Sequence, residues 1–508
     1  MVGGLTSGWL ADKFGRKGGM MFNNIIALIA AALMFSSKPA NSYHILILGR
    51  LVIGLNVGLN SGFAPMYLTE VSPVNLRGAI GSCHQLVVTI SILVAQVVGL
   101  KIALGNADLW HVLFGLTAIP AFFQLATLPL CPETPKYNMI LKGRNEQAEK
   151  DLKKLRGREN VSTEMTVMRE EADEMKAVKK VAFKDMFTDP ALRWPLSIAV
   201  MMMFSQQLSG INAVMFYSSS MFRQAGLDPD EATYATLGMG NMNVLMTVVS
   251  LVLVERFGRR CLHLTGLAGM FASSLLLVVF MTIQKSGESW ASVFCVMFVL
   301  LFVVSFATGP GSIPWFFVSE LFQMSSRGNA NSVAVMTNWL ACFVVGLSFQ
   351  PLQEVIDQYS ILVFTVCLAF FWVYTFIFVP ETKGVPIEDI VQKFKDGTWV
   401  IVVIIVLLLL LVGVTVALTV FLVLRHRRHK EQNTEDEKTV GSTTAGTGNE
   451  STLSKTEIND GQDSKIVKSA LVEAPQQSAV ASFVPTKFIM TRPGDTPDGK
   501  KEKAQPPP

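Results

Sequence analysis

Three side-chain amides lie close together in a stretch that is otherwise apolar. Gln206, Gln207 and Asn212 fall within seven residues, and Ser209-Gly210 interrupts the helix that contains them. An amide donates and accepts hydrogen bonds, so in an apolar environment it needs polar partners. Helix–helix hydrogen bonding explains any single amide equally well. Three amides together favour a polar cavity.

Carboxylates and guanidinium groups recur at the ends of the apolar stretches. Arginine forms bidentate pairs with carboxylates, so such residues can latch two helix bundles together on one side of a membrane. The alternative is that the basic residues only anchor helix ends at the membrane surface, and we favour that for the lysines. We favour the latch for six residues that both halves of the chain repeat: Arg16, Glu70, Arg77, Arg259, Glu320 and Arg327.

One arginine lies inside an apolar stretch. Arg50 is surrounded in the sequence by hydrophobic residues. An intramembrane arginine is costly and is functional by default. We therefore expect an acidic or polar partner for it on a neighbouring helix.

The segment GPGSIP at 309–314 cannot form a regular helix. Pro310 and Pro314 remove backbone hydrogen bonds, and the two glycines loosen the chain. A static kink would explain these residues too. We instead predict the hinge of a gate, with Trp315 at its moving end, because the break adjoins the amide cluster.

The composition places these residues in a membrane protein. Only 16% of the 508 residues are charged and half are hydrophobic, whereas a soluble domain has about a quarter of its residues charged. A membrane helix needs about 20 mostly apolar residues, and lipid leaves the backbone no partners outside its own helix. We therefore predict an all-α polytopic fold with a half span at 1–11 and full spans near 18–36, 44–66, 79–104, 109–131, 194–219, 233–254, 261–283, 290–318, 329–350, 358–379 and 399–424.

The charged loops predict an orientation and reveal a repeat. Alternate loops carry most of the lysine and arginine, so we assign them to the cytoplasm. DKFGRK at 12–17 returns as ERFGRR at 255–260, and the Pro-Glu-Thr triplet at 132–134 returns at 380–382. Glu70 and Arg77 return as Glu320 and Arg327, and all the offsets are about 250 residues. Two homologous membrane halves explain this order.

The repeat predicts how the chain is organised. The second half has six spans and the first has four and a half, so we expect that the first helix and half of the second are missing. The predicted parts are an incomplete N-terminal helix bundle at 1–131, a cytoplasmic helical linker domain at 132–193, a C-terminal helix bundle at 194–380, a cytoplasmic amphipathic segment at 381–398, an extra hydrophobic helix at 399–424 and a disordered polar tail at 425–508.

The motifs resemble those of the sugar porter family of the major facilitator superfamily, and most closely the animal facilitative glucose transporters. The matching strings include GWLADKFGRK, YLTEVSPVNLRGAIGS, QQLSGINAVMFYS, GPGSIPWFFVSELF and VPETKG, and the resemblance covers roughly residues 3–397. It implies a major facilitator fold of two six-helix bundles and transport of a hexose by alternating access. It also implies sugar contacts at Gln85, Gln206, Gln207, Asn212, Asn243 and Asn338, with Trp315 as the aromatic residue beside the site.

Several functional alternatives stay open at this point. Ala307 and Cys342 stand where the family has a glutamate and an amide, so the identity of the hexose is open. In proton-coupled relatives the partner of Arg50 lies on the first helix, which is missing here. We expect a facilitative hexose transporter, with glucose as the first candidate. The alternatives are a proton-coupled sugar symporter and a non-transporting truncated isoform or sugar sensor, which would bind sugar without flux.

An enzyme is a distant alternative. The histidines of the membrane part stand singly, and neither a metal-binding group nor a catalytic triad is evident in the sequence. We expect no cofactor, no metal and no nucleic-acid partner. The expected partners are a small-molecule hexose and the lipid bilayer, with cytoplasmic or tail-binding proteins unknown, and the expected location is the plasma membrane.

The C-terminal extension permits three interpretations. Residues 400–424 are long enough to span a membrane with tilt, and a basic run follows them. With two lost spans restored, this would be a thirteenth helix, which would place the tail outside. The segment is therefore an extra span, a re-entrant or interfacial segment, or the product of a gene fusion or mis-splicing.

Overall fold

The part of the chain that the structure describes is helical. The computed structural model describes residues 1–73, 76–177 and 181–385, and it contains no β-strand there. Nine helical stretches within those residues are long and apolar enough to cross a membrane, from Arg16–Ser36 to Ser325–Phe378. The prediction of an all-α polytopic protein is therefore confirmed, and the chain is a multi-pass membrane protein.

The first half contains six helices. Helix α1 is too short to cross a membrane alone, and it packs against α3, while α2 packs against α3, α5 and α6. A 3-10 turn at Leu128–Leu130 ends this half. The helices are α1 (Val2–Phe14), α2 (Arg16–Ser36), α3 (Tyr43–Val71), α4 (Arg77–Val98), α5 (Trp110–Gly115) and α6 (Ala118–Thr127).

A small helical layer connects the halves. It begins with a π-helical turn at Tyr137–Leu141 and continues as α7 (Asn145–Arg156), α8 (Ser162–Ala177) and α9 (Asp185–Thr188). Ala148 and Leu152 of α7 are buried against α8, whereas Leu155 is half-buried. The apolar face of α7 therefore has a core of its own outside the membrane spans.

The second half contains eight helices. They are α10 (Pro190–Gln207), α11 (Ile211–Gln224), α12 (Pro229–Phe257), α13 (Arg259–Lys285), α14 (Ala291–Thr308), α15 (Ile313–Leu321), α16 (Met324–Ile356) and α17 (Ser360–Phe378). The pairs α10/α11 and α14/α15 are each one span broken in the middle. A 3-10 turn at Asp357–Tyr359, where Asp357 has a φ of 52°, separates α16 from α17. The predicted spans near 329–350 and 358–379 are thus two helices.

Two glycines of the sequence repeat shape equivalent corners. Gly15, between α1 and α2, has a φ of 84°, and Gly258, between α12 and α13, has a φ of 86°. A β-carbon on Gly15 would lie 2.4 Å from Glu133 Oε2, and one on Gly258 would lie 2.5 Å from Glu381 Oε2. Only glycine combines this conformation with such a close approach.

The two halves meet along their helices. Helix α1 packs against α16, and α4 packs against α12 and α15. The remainder of the predicted amphipathic segment beyond residue 385, the predicted extra helix at 399–424 and the predicted tail at 425–508 lie outside the described residues.

Candidate functional site

The amide of Gln206 lies at the break between α14 and α15. Gln206 is buried in the last turn of α10, and its Nε2 donates to Pro310 O at 3.1 Å and to Gly311 O at 2.8 Å. These carbonyls are free for it because residues 309–312 do not continue the helix. One amide of the cluster is therefore attached directly to the predicted hinge.

The other amides continue from Gln206 as one chain of hydrogen bonds. Asn338 of α16 donates its Nδ2 to Gln206 Oε1 at 2.7 Å, and it accepts from Gln207 Nε2 at 2.9 Å. Asn212 of α11 donates to Gln207 Oε1, and its Nδ2 lies 3.4 Å from Cys342 Sγ. Gly210, with a φ of 89°, makes the turn that brings α11 back beside α10. Helices α10, α11 and α16 thus bring together four of the residues that were predicted to contact the sugar.

The remaining predicted contacts surround this chain without joining it. Trp315, in the first turn of α15, is 9% exposed, and its ring meets the His84 ring edge-on with centroids 5.6 Å apart. Gln85 of α4 is buried, and the buried Oδ1 of Asn243 on α12 has no hydrogen-bond partner among the described residues. An unpartnered buried oxygen is unfavourable, so a ligand hydroxyl there would remove a cost.

The hinge is packed from behind by α13. A β-carbon on Gly309 would lie 2.3 Å from Leu262 O, and one on Gly266 would lie 2.3 Å from Pro310 Cδ. Pro314 lies in the first turn of α15, where a proline needs no hydrogen-bonded N–H. The break at 309–312 is therefore a compact joint held between α10 and α13.

The first half has a buried ion pair at its predicted cytoplasmic end. Arg16 Nη2 lies 2.9 Å from Glu70 Oε1, and Thr134 Oγ1 donates to Glu70 Oε2 at 2.8 Å. Arg16 also lies 3.4 Å from the more exposed Asp12. Glu133 accepts from the backbone N–H of Lys17 at 3.1 Å, and burial raises the pKa of its carboxyl above the ordinary value.

The second half repeats the same arrangement. Arg259 Nη2 lies 2.9 Å from Glu320 Oε1, and Thr382 Oγ1 donates to Glu320 Oε2 at 2.5 Å. Glu381 accepts from the backbone N–H of Arg259 at 2.9 Å, and Glu255 lies 3.4 Å from Arg259. The repeat seen in the sequence is therefore a repeat of contacts.

Few contacts among these charged residues at the predicted cytoplasmic end cross between the halves. Glu255 of α12 accepts from Ala79 N of α4 at 2.9 Å, and Arg327 Nη1 of α16 lies 3.9 Å from Glu70 Oε1. Farther along, Ser332 accepts from Gly8 N at 2.9 Å. These contacts close the predicted cytoplasmic side, and we call the Glu255–Ala79 and Arg327–Glu70 contacts the cytoplasmic latch.

Two arginines that the sequence singled out, Arg77 and Arg50, take no part in the contacts of the cytoplasmic latch. Arg77 begins α4 but forms no ion pair with a described residue, and its Nε has no hydrogen-bond partner among them. Arg50 places its guanidinium over the Phe114 ring at 5.7 Å from the centroid.

Three further residues at the predicted cytoplasmic end were not among the predicted functional residues. Thr134 and Thr382 hold the two glutamates, and Glu255 reaches across to α4. The recurrence of the Pro-Glu-Thr triplet was the available signal for the two threonines, because both copies flank a repeated Glu–Arg pair. Among the described residues, no group of three or more metal-ligating side chains occurs.

Comparison with known proteins connects this geometry with a family. The family model described as "Sugar (and other) transporter" matches residues 1–394. The chain belongs to this family. The transporter is 57% identical over 398 residues to "Facilitated glucose transporter protein 1" of Caenorhabditis elegans, covering 78% of each chain. It is 44% identical over 397 residues to "Solute carrier family 2, facilitated glucose transporter member 1" of Gallus gallus, covering 78% of this chain and 80% of that protein.

Solved structures show the same major facilitator fold. The proton:xylose symporter XylE bound to 6-bromo-6-deoxy-D-glucose has a TM-score of 0.66 and 26% identity, and the match covers 77% of this transporter and 86% of that chain. The inward-open conformation of XylE from E. coli has a TM-score of 0.58 and 25% identity, over 77% and 85%.

Proposed function

We propose that this sugar transporter carries a hexose, with glucose as the first candidate, down its concentration gradient by alternating access. The single observation that carries the proposal is the chain of amides from Gln206 to Asn212. Amides can exchange their mutual hydrogen bonds for bonds to the hydroxyls of a sugar, and the amide of Gln206 is attached to the hinge carbonyls. The names of the two glucose transporters to which the chain is similar support glucose and facilitated transport.

Helix α15 supplies a mechanical connection for this cycle. It carries Trp315 near its first end and Glu320 near its last, about 7.5 Å apart along the axis at 1.5 Å per residue. It is one continuous helix and all nine of its residues are buried, so we expect its two ends to move together. A sugar that displaces the hinge carbonyls from Gln206 would therefore move the carboxylate that pairs with Arg259.

The latch residues and the location are part of the proposal. We assign the cytoplasmic latch the role of holding the cytoplasmic side closed until the sugar is bound, with Arg259–Glu320 and Arg16–Glu70 fixing its partners within each half. We assign the protein to the plasma membrane, where a facilitative carrier would have access to external sugar. Surface biotinylation of intact cells tests that location.

The experiment measures radiolabelled D-glucose uptake into proteoliposomes, with L-glucose as the blank. We expect D-glucose to equilibrate at the same rate with and without a proton gradient. Gln206→Ala and Asn212→Ala each remove hydrogen bonds of the amide chain, so uptake should fall roughly tenfold or more at equal protein content. The matched control is Gln353→Ala, which removes an amide pair with Gln224 outside the site and should transport normally.

Each contrary outcome has a definite meaning. Normal uptake by Gln206→Ala and Asn212→Ala would reject the site. Accumulation above equilibrium in a proton gradient would replace the facilitative carrier by a symporter. D-glucose binding without uptake would replace it by a sensor.

A further inference from the structure

Helix α4 of the first half presses directly on α15 of the second. A β-carbon on Gly81 would lie 2.8 Å from Phe316 Cβ, which leaves no room for a side chain between the helices. One turn along α4, the His84 ring meets the Trp315 ring at 70° with centroids 5.6 Å apart. Edge-to-face contacts of this geometry are the favoured arrangement of two rings. This ring pair therefore joins the two halves beside the amide chain.

The same face of α4 continues to the cytoplasmic ion pairs. Residues three apart lie on one face of a helix, so Gly78, Gly81 and His84 form one row. A β-carbon on Gly78 would lie 2.5 Å from Arg259 Nη2, and the Arg259 guanidinium lies over the Phe316 ring at 5.8 Å from its centroid. The two glycines in this row let α4 approach closely, and His84 is its first bulky member.

We propose that His84 is a positioning residue of an inner gate, whose ring holds Trp315 and α15 against α4 while the sugar site is closed to the cytoplasm. The contact has to separate before sugar can leave on that side, because the two rings belong to opposite halves. This inference rests on the proposed alternating-access function. It also places two roles on adjacent residues of α4, because His84 would hold the gate closed and Gln85 is a predicted sugar contact.

The test measures how fast the cytoplasmic side opens, without using sugar. Ser332 is 2% exposed and accepts a hydrogen bond from Gly8 across the interface, so Ser332→Cys places a thiol where a reagent enters only when the halves separate. The background carries Cys131→Ser and Cys261→Ser, which remove the exposed thiols. A water-soluble maleimide is added to the cytoplasmic face of inside-out membrane vesicles, and vesicles without Ser332→Cys give the blank.

His84→Ala should raise the rate of labelling roughly two- to tenfold, the range that corresponds to one aromatic edge contact. His84→Phe keeps a ring and should label nearly as slowly as the Ser332→Cys background with His84 intact. The matched control is His111→Ala, which removes a ring contact with Phe35 at 5.4 Å inside the first half and should leave labelling unchanged. If His84→Ala fails to reach the membrane, His84→Leu keeps the bulk without the ring edge and should still label faster than His84→Phe.

Equal labelling of the Ser332→Cys background with His84 intact and of its alanine or leucine variant would overturn the proposal, as would equally fast labelling of His84→Ala and His111→Ala. D-glucose uptake is measured on the same vesicles. An absence of uptake by the background with His84 intact would count against the proposed function. The ratio of labelling rates between the His84 variants and that background tests the gate by itself.

Discussion

Weakening the bond from Glu255 to α4 should open the cytoplasmic side. Glu255→Gln keeps the shape of the side chain and its bond to Ala79 N, but it removes the charge that faces the first turn of α4, together with the ion pair with Arg259 inside the second half. A hydrogen bond to a charged group contributes about 1.5–3 kcal/mol, against about 1 kcal/mol for a neutral pair. The side chain is 25% exposed, so solvent screening favours the lower end of that difference. That leaves about 0.5–1 kcal/mol, which corresponds to a roughly two- to fivefold shift toward the open side.

The Ser332→Cys labelling assay described above measures this shift directly. The control is Glu381→Gln, which weakens the same type of bond, from a carboxylate to the first turn of a helix, but within the second half alone. Glu381→Gln should lower stability without changing the rate of labelling. An unchanged rate in Glu255→Gln would refute the assignment of Glu255 to the latch, and an equal increase in both variants would show a general loosening instead.

Two other predictions concern the hinge and the pH dependence of folding. Gly309→Ala should lower the free energy of unfolding by about 1–3 kcal/mol in detergent, because its β-carbon meets Leu262 O. Gly238→Ala, inside α12 and with open space around its β-carbon, should leave the free energy of unfolding unchanged or raise it slightly. A loss of unfolding free energy well below about 1 kcal/mol in Gly309→Ala would contradict the tight packing at residues 309–312. Burial raises the pKa of Glu133 above 4.5, so its stabilising contribution is complete below that value and is lost as pH rises through the raised pKa. The Tm of the unsubstituted protein relative to Glu133→Gln should therefore increase as pH falls from about 7 to about 5, and a decrease would contradict the direction of the shift.

The sequence predicted features that depend on local chain chemistry. The break at Gly309–Ser312 follows from glycines and proline at fixed positions, and the fold class follows from the apolar stretches. The amide cluster was visible because Gln206 and Asn212 are near neighbours in the sequence. Asn338 joined it only through the family resemblance, since it is more than a hundred residues away.

The partners across the interface were not predictable from the sequence. Arg77 has the same repeated position as Arg327, yet among the described residues Arg327 forms an ion pair with the opposite half, at Glu70, and Arg77 forms none. The contact of Glu255 with a backbone N–H has no side-chain signal on α4 at all. Such contacts depend on how two rigid bundles are placed against each other, which no local pattern specifies.

The amide chain has a consequence for how tightly a sugar is held. The amides of Gln206, Gln207, Asn212 and Asn338 form hydrogen bonds with one another. Each hydroxyl that binds must displace a hydrogen bond, so the net gain for each exchange is much smaller than the strength of the new bond. A site whose amides can bond either to one another or to a sugar favours neither arrangement strongly. Such a site binds its sugar with modest affinity and releases it quickly, which suits a carrier that must release its substrate in every transport cycle.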